Sequence, residues 1–326
     1  MSGHPAPDVV CVGETMAVLT PADGRPLADA DGLALGIGGA ESNVACTVAA
    51  LGHRAAWAGR VGRDPFGARI LRELGARGVD TGAVTLDPDR PTGLYAKDPG
   101  PHGTRPHYYR RDSAAARMGP GLAGLPLLRE ARVLHVTGIT AALSDSCAEL
   151  LDALLIRRAA PGPLLSFDVN HRPALWRGQP RSAAPTLLAL ARAADLVFTG
   201  RDEAEALWGT AEPEEIRDLI APAPLIVIKD AHIGATSYST RDGAAFVPAR
   251  RLSVVEPVGA GDAFAAGYLA ALLEDRDPVA RLRLGHLAAA AALRTRHDLP
   301  TLPPRDRLDP WLTLDDAAWS TDDDHP

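Results

Sequence analysis

The 326-residue chain is poor in lysine, cysteine and aromatic residues, and each scarcity excludes a class of protein. Lys97 and Lys229 are its only lysines and the net charge is -7, so no basic surface for nucleic acid is expected. Cys11, Cys46 and Cys147 are widely spaced and form no CxxC pair, which argues against a disulfide framework or a zinc site. No uncharged apolar run reaches membrane-spanning length. We therefore expect a cytoplasmic protein with no membrane or nucleic-acid partner.

Several common catalytic motifs are also missing. The sequence contains no GxxxxGK[ST], HExxH or GxSxG string, which excludes a P-loop nucleotide site and the usual zinc-peptidase and serine-hydrolase sites. One GxGxxG string spans positions 119–124, but it contains Pro120 and neither follows a strand nor precedes a clear helix. We do not interpret it as a dinucleotide fingerprint.

What is present is a regular alternation of short β-rich runs with longer Ala/Leu/Arg helices, and 46% of the residues are hydrophobic. The runs "DVVCVG", "ARVLHVTG", "PLLSFDV", "ADLVFTG" and "PLIVIKD" predict an α/β fold with a doubly wound, mostly parallel sheet. Residues 14–36 and 92–112 break this rhythm and predict a small β-sheet lid inserted into a single domain, 1–314. Residues 315–326 are acidic and predict a disordered tail.

The string "VVEPVGAGDAF" places Asp262 directly after three small residues at the start of an alanine-rich helix. Backbone amides of Gly259, Ala260 and Gly261 would then face an anion, which the helix dipole also favours. An aspartate here is either a helix cap or a general base beside a phosphate. The residues alone leave both interpretations open.

A second string, "GIGGAESNVA", lies upstream. Gly38 and Gly39 permit close approach of the backbone, and Asn43 offers both a donor and an acceptor near a helix start. This combination suits a polyhydroxylated ligand, although a tight turn before a helix explains it equally well.

Together, the "GGAESN…GRVGRDPFG" and "GAGDAF" runs resemble the two signatures of the ribokinase (PfkB-type) carbohydrate kinases, over nearly the whole chain. The resemblance implies ATP as phosphate donor, Mg²⁺ on its phosphates, Asp262 as the base, and Gly259, Ala260 and Gly261 as the anion hole. On the nucleotide side we assign Asn170, Glu203, Lys229, Gly234 and Ala288, and Glu203 would hold the metal indirectly. A monovalent cation and a homo-oligomer formed through the lid strands are further expectations.

"GLYAKD", "YYRRDS", "GITAALS" and "DVNHRPALW" are most similar to the 2-keto-3-deoxygluconate kinases of that family. The expected partners are therefore a sugar acid and ATP, and the pocket is predicted to contain Gly38, Gly39, Asn43, Tyr95, Tyr109, Arg111, Ile139 and Arg172. Arginine forks suit a carboxylate and are not needed for a neutral sugar.

Two positions depart from the family pattern and keep other functions open. Gly200 replaces an asparagine of the NxxE element that contains Glu203, and Glu256-Pro257 stands where an aspartate and a threonine are usual. The alternatives are a kinase of a neutral sugar or a nucleoside, and a non-catalytic sugar sensor. Retention of Asp262 argues against the sensor.

Overall fold

The computed structural model describes residues 6–101, 103–295, 298–299 and 301–320. Nine strands form one sheet in the order β15-β14-β13-β12-β11-β10-β1-β4-β6. They are β1 (Val9–Val12), β4 (Ala55–Ala58), β6 (Val79–Asp80), β10 (Val133–Thr137), β11 (Leu164–Asp168), β12 (Leu196–Gly200), β13 (Leu225–Asp230), β14 (Gly234–Ser239) and β15 (Gly243–Pro248). From β6 to β13 every pairing is parallel, whereas the β13–β14 and β14–β15 pairings are antiparallel. The predicted doubly wound, mostly parallel fold is confirmed.

Thirteen α-helices surround this sheet in the described part of the chain. They are α1 (Ala40–Ala50), α2 (Pro65–Ala76), α3 (Pro126–Glu130), α4 (Gly138–Ala141), α5 (Asp145–Leu151), α6 (Pro173–Trp176), α7 (Ala183–Ala193), α8 (Arg201–Trp208), α9 (Pro213–Ile220), α10 (Ala260–Leu273), α11 (Pro278–Leu293), α12 (Arg305–Leu312) and α13 (Asp316–Ser320). Local sequence explains several starts. Asp64 accepts a hydrogen bond from the Gly67 amide before Pro65 opens α2, and Asp277 caps α11 in the same way through the Ala280 amide.

Alternation along β1 explains why both faces of the sheet are covered. Val9 and Cys11 point into one apolar core with Tyr268 of α10, while Val10 and Val12 point into a second core with Leu150 of α5. Strands buried on both faces read as continuous apolar runs, as these do. The carboxyl ends of the central strands are left open at one edge of the sheet.

The two segments predicted as a lid form a separate four-stranded sheet, β3-β2-β8-β9. Its strands are β2 (Met16–Pro21), β3 (Leu33–Gly38), β8 (Leu94–Gly100) and β9 (Gly103–Tyr109). A short parallel pair, β5 (Arg60–Gly62) and β7 (Thr85–Asp87), completes the strands.

The predicted disordered tail is wrong for its first part. Helix α13 covers Asp316–Ser320, and Trp319 is buried with 1% of its surface exposed. Its indole nitrogen donates to the Pro248 carbonyl at 2.9 Å, and the Arg250 guanidinium lies 5.3 Å from its ring centre. Acidic residues dominate the composition of this segment, but the large apolar side chain of Trp319 packs against β15. Residues 321–326 lie outside the described residues.

Candidate active site

Asp262 lies in the first turn of α10, at the open edge of the sheet, and is 9% exposed. Its carboxylate accepts hydrogen bonds from the side-chain amides of Asn43 on α1, at 2.9 Å, and Asn170 after β11, at 3.4 Å. The N-cap position of α10 is occupied by Gly259, and Asp262 is the third residue of the helix. Asp262 is therefore not a helix cap, and two other elements orient its carboxylate.

The small residues before Asp262 shape the start of α10. Gly259 adopts φ +83°, a left-handed conformation that favours glycine, and an added Cβ would lie 2.5 Å from the Asp298 carbonyl. The Ala260 amide donates to the Pro257 carbonyl at 3.4 Å, a long contact. Amides of the first helical turn have no partner within the helix, so Gly261 and Asp262 present donors suited to an anion.

Burial raises the pKa of Asp262 to about 6, against the opposing effects of the Asn43 amide and the Arg172 guanidinium. A carboxyl group with this pKa is largely ionised at neutral pH and accepts a proton more readily than an ordinary aspartate. It is suited to remove a proton from a hydroxyl group held nearby.

Lys229 lies on the opposite side of the α10 start. Its ammonium group donates to the Asp168 carboxylate at 2.8 Å and lies 3.5 Å from where a Cβ at Gly261 would stand. Burial opposes the charge of Lys229, but the carboxylates of Asp168 and Glu203 outweigh it and raise the lysine pKa. The site therefore keeps a cation beside the first-turn amides. Asp168 was not among the predicted site residues; its position at the carboxyl end of a central strand was the available signal.

Glu203, at the start of α8, uses both carboxylate oxygens as anchors. One oxygen accepts from the Gly200 amide at 2.8 Å and the other from the His171 amide at 2.9 Å. Burial and the nearby charge of Asp168 raise the pKa of Glu203. Arg172 approaches the same carboxylate at 3.8 Å, with half of its side chain exposed. Asn170 lies in the loop that contains His171 and Arg172 and has φ 39°. Its buried side-chain oxygen has no hydrogen-bond partner in the part of the chain that the structure describes.

Of the residues predicted to bind sugar, Gly38 and Tyr95 lie close together in the lid sheet, and Asn43 lies on α1, which follows β3. A side chain at Gly38 would clash with the carboxylate of Asp298, which accepts a hydrogen bond from the Tyr95 hydroxyl. Asp298 also pairs with Lys97 at 2.7 Å, so the lid strand β8 contacts the loop after α11. The buried side-chain oxygen of Asn43 has no hydrogen-bond partner within the described ranges and is available to a hydroxyl group. Sequence reasoning missed Asp298, since "RHDLP" carries no recognisable pattern.

Gly39 and Ile139, also predicted to bind sugar, lie at the starts of α1 and α4. An added Cβ at Gly39 would clash with the Glu14 carbonyl, so glycine is needed where the end of β3 approaches the connection between β1 and β2. Ile139 is partly buried at the start of α4, and its amide donates to the Thr137 hydroxyl at 3.2 Å.

The structure corrects the predicted roles of Tyr109 and Arg111. Tyr108 pairs directly with Tyr95 across the lid strands, and their ring centres are 5.4 Å apart. Because side chains alternate along a strand, Tyr109 points to the other face, where it is 64% exposed; Arg111 is exposed as well. Tyr108 and its neighbour Arg110 take the inner positions.

Arg110 also joins the lid to the main sheet. It forms an ion pair with the buried carboxylate of Glu14, which follows β1, and Ser113 donates to the same carboxylate at 3.0 Å. The Arg110 guanidinium lies 5.5 Å from the ring centre of Tyr108. These contacts fix the base of the lid beside the pocket.

The predicted nucleotide residues Gly234 and Ala288 lie farther from Asp262. Gly234, with φ +155°, opens β14, and an added Cβ would lie 2.8 Å from the ring of Phe246. Ala288 is fully buried against Ala263 and Ala292 between α10 and α11. Exposed apolar side chains border this region: Ile233, Phe246, Val254 and Val255 each have about half of their surface exposed, at 48%, 53%, 57% and 53%.

Three comparisons agree with this geometry. The family model for pfkB family carbohydrate kinases matches residues 6–303. The 2-dehydro-3-deoxygluconokinase of Bacillus subtilis is 35% identical over 94% of this chain and 95% of its own, and that of Thermoproteus tenax is 33% identical over 91% and 92%.

A sugar kinase from Pyrococcus horikoshii, solved in complex with ATP, superposes with a TM-score of 0.80. It is 25% identical, and the match covers 92% of this chain and 97% of that one. The chain therefore belongs to the pfkB family of carbohydrate kinases.

Proposed function

We propose that the protein is an ATP-dependent kinase that phosphorylates the terminal hydroxyl group of 2-keto-3-deoxygluconate to give 2-keto-3-deoxy-6-phosphogluconate. The observation that carries the catalytic part is Asp262, a buried carboxylate oriented by two amides beside the first turn of α10. Support for the acceptor comes from the two relatives named 2-dehydro-3-deoxygluconokinase, in which 2-dehydro is another term for 2-keto, and from the inner side chains of the lid. Sugar phosphorylation as such follows from the family.

In the proposed reaction Asp262 removes the proton from the acceptor hydroxyl as that oxygen attacks the γ-phosphorus of ATP, and ADP leaves. Negative charge on the transferred group faces the Gly261 and Asp262 amides and the Lys229 ammonium. These groups are fixed before substrate binds, because Asp168 orients Lys229 and glycine at 259 sets the helix start. Tyr95 and Tyr108 would close over the sugar and exclude water.

The described residues fit Mg²⁺ only in an indirect way. When bound to the phosphates, Mg²⁺ would offset their charge. No group of three acidic, histidine or cysteine side chains that could hold a metal is found in the described residues. Both carboxylate oxygens of Glu203 already accept hydrogen bonds from backbone amides, so Glu203 would contact the metal through a water molecule. The monovalent cation remains a prediction; Glu256, which replaces the usual aspartate, is buried.

Arginine placement favours a sugar acid over a neutral sugar. The half-exposed Arg172 lowers the pKa of both Tyr108 and Asp262, so its positive charge lies near both side chains. A carboxylate bound there would form a charge-assisted hydrogen bond with a guanidinium that Glu203 only partly neutralises. A neutral acceptor offers no such partner.

The test is a screen of ATP consumption with sugar acids, neutral sugars and nucleosides, with ³¹P NMR to identify the phosphorylated hydroxyl. We expect the highest kcat/KM with 2-keto-3-deoxygluconate and a product phosphorylated at O6. A higher kcat/KM with fructose, ribose or a nucleoside would replace the proposed acceptor. No consumption with any acceptor, while sugar still binds in calorimetry, would favour the sensor.

A further inference from the structure

One buried carboxyl group near Asp262 has no part in the mechanism above. Glu41, in the first turn of α1, has no exposed surface. One of its oxygens accepts hydrogen bonds from the hydroxyl groups of Thr137, at 2.7 Å, and Thr140, at 2.8 Å. The other oxygen has no hydrogen-bond partner among the residues that the structure describes. Such a group is costly to bury, so its position calls for an explanation.

The segments that Glu41 joins both border the sugar-side pocket. Two residues along α1, the Asn43 side chain holds the Asp262 carboxylate. Across the contact, Thr137 ends β10 and accepts the amide of Ile139 at the start of α4. Glu41 thus connects the helix that orients the base with the corner that forms the pocket floor.

Gly13, at the end of β1, shows how closely this carboxyl group is packed. A Cβ added at Gly13 would clash with the Glu41 carboxyl group, which lies where a side chain of the strand would otherwise be. Three segments therefore meet at Glu41: the end of β1, the β10–α4 corner and the first turn of α1. A shift of any one of them would move Asn43 relative to Ile139.

The charge state of Glu41 fits this location. Burial raises its pKa to about 7, the two threonine hydroxyl groups act in the opposite direction, and Asp262 raises it further. Cys11 of β1 also faces it, and burial holds the thiol pKa well above its usual value, so this group is neutral. Where two carboxyl groups share a site, the one with the higher pKa keeps its proton while the other ionises. Asp262 then carries the negative charge.

We propose that Glu41 is a positioning residue of the phosphoryl-transfer site, whose carboxyl group ties the first turn of α1 to the β10–α4 corner and so fixes the Asn43 amide against Asp262. The proposal rests on the proposed role of Asp262 as the base. It does not depend on which acceptor the enzyme uses.

Two variants of Glu41 separate positioning from charge. Glu41→Gln keeps an oxygen for Thr137 and Thr140 and cannot ionise, whereas Glu41→Ala removes the connection. With the best acceptor found for the wild type, we expect Glu41→Ala to lower kcat by up to about 100-fold with little change in the KM for ATP. Glu41→Gln should stay close to the wild type at pH 6. Because its amide cannot ionise, we also expect it to keep its rate above pH 7, where ionisation of Glu41 would add a second negative charge beside Asp262.

A second readout does not need activity. Hydrogen exchange of peptides covering 40–47 and 137–142 should accelerate together in Glu41→Ala and remain slow in Glu41→Gln. Unchanged exchange in Glu41→Ala overturns the proposal even if no acceptor is found. So does wild-type kcat in that variant, or an equal rise in the KM values of both substrates, which would indicate general loosening. Failure of the acceptor screen alone would refute the proposed substrate and leave this readout decisive for Glu41.

Discussion

Asp262 lies in the first turn of a helix, which attracts anions. Its carboxylate accepts one hydrogen bond from each of the side-chain amides of Asn43 and Asn170 and can still accept another from a hydroxyl group. Desolvation is the largest effect on its pKa, and the hydrogen bond from Asn43 limits the rise to about 6. This balance matters because a fully desolvated carboxyl group would stay protonated at neutral pH, while a fully paired one would be a weak base.

The acid limb of the pH profile should report this balance. The base must be ionised, so kcat/KM should fall as the pH drops through about 6. Asn43→Leu removes a group that lowers the pKa, so it should move the limb to higher pH. Asp262→Asn should lower kcat by about 10²- to 10⁴-fold across the whole range.

The control for this measurement is Glu149→Gln, which removes an exposed carboxylate on α5 and should leave the limb where it is. Steady-state rates with a buffered pH series are sufficient. A limb that stays in place in Asn43→Leu, or appreciable turnover in Asp262→Asn, would contradict the assignment of the base.

At the scale of elements, α13 packs on the edge strand β15 through Trp319, and α12 packs on α11. Trp319 lies between Arg250 and Arg283, at 5.3 Å and 5.2 Å from their guanidinium carbons, and its ring centre is 6.3 Å from that of His286. His286 in turn lies edge-on to Phe264, two residues after Asp262. The end of the chain is thus packed behind the active-site helix.

Trp319→Ala should therefore lower the free energy of unfolding by about 3–5 kcal/mol, the usual cost of truncating a buried tryptophan. Chemical denaturation monitored by circular dichroism measures it, and Asp306→Ala, at an exposed position on α12, is the control, expected to change little. A Trp319→Ala variant as stable as the wild type would mean that α13 does not pack on β15 in solution.

The elements that sequence predicted well are those whose signal is local. Apolar runs predicted the central strands, because such a run depends only on neighbours within a few residues. Local signals could not predict which side chains of β9 lie on its inner face. Two tyrosines and two arginines are adjacent in "YYRRDS", and a shift of one residue exchanges the faces. The pairing of Tyr95 with Tyr108 decides it.

The sequence also failed to predict contacts between residues that are distant in the chain. Asp298 and Glu41 occupy the site through contacts with residues far away in sequence, such as Lys97 and Thr137. No periodicity or spacing in a single sequence encodes such pairs. The burial of Trp319 was not predicted either, because its acidic neighbours dominate the local composition.

For the whole molecule, the two faces of the lid have different surroundings. The inner face carries Tyr95, which is 5% exposed, and Tyr108, which is 46% exposed, and the outer face exposes Tyr109 by 64% and Leu33 by 46%. Strands β3 and β9 are the edges of this sheet, and unpaired edges are ready to pair with another chain. We therefore propose that two copies associate through their lids.

Neighbouring tyrosines give a matched test of both faces. Tyr108→Ser removes an aromatic contact above the pocket and should raise the KM for the acceptor on the order of tenfold, with no change in assembly. Tyr109→Ser combined with Leu33→Ser should instead shift the mass in light scattering towards the 34.2 kDa of one chain, with the KM nearly unchanged. A wild type that already has this mass, or a double variant that stays assembled, would exclude the lid as the interface. A rise in KM for Tyr109→Ser alone, without one for Tyr108→Ser, would instead reverse the faces assigned to β9.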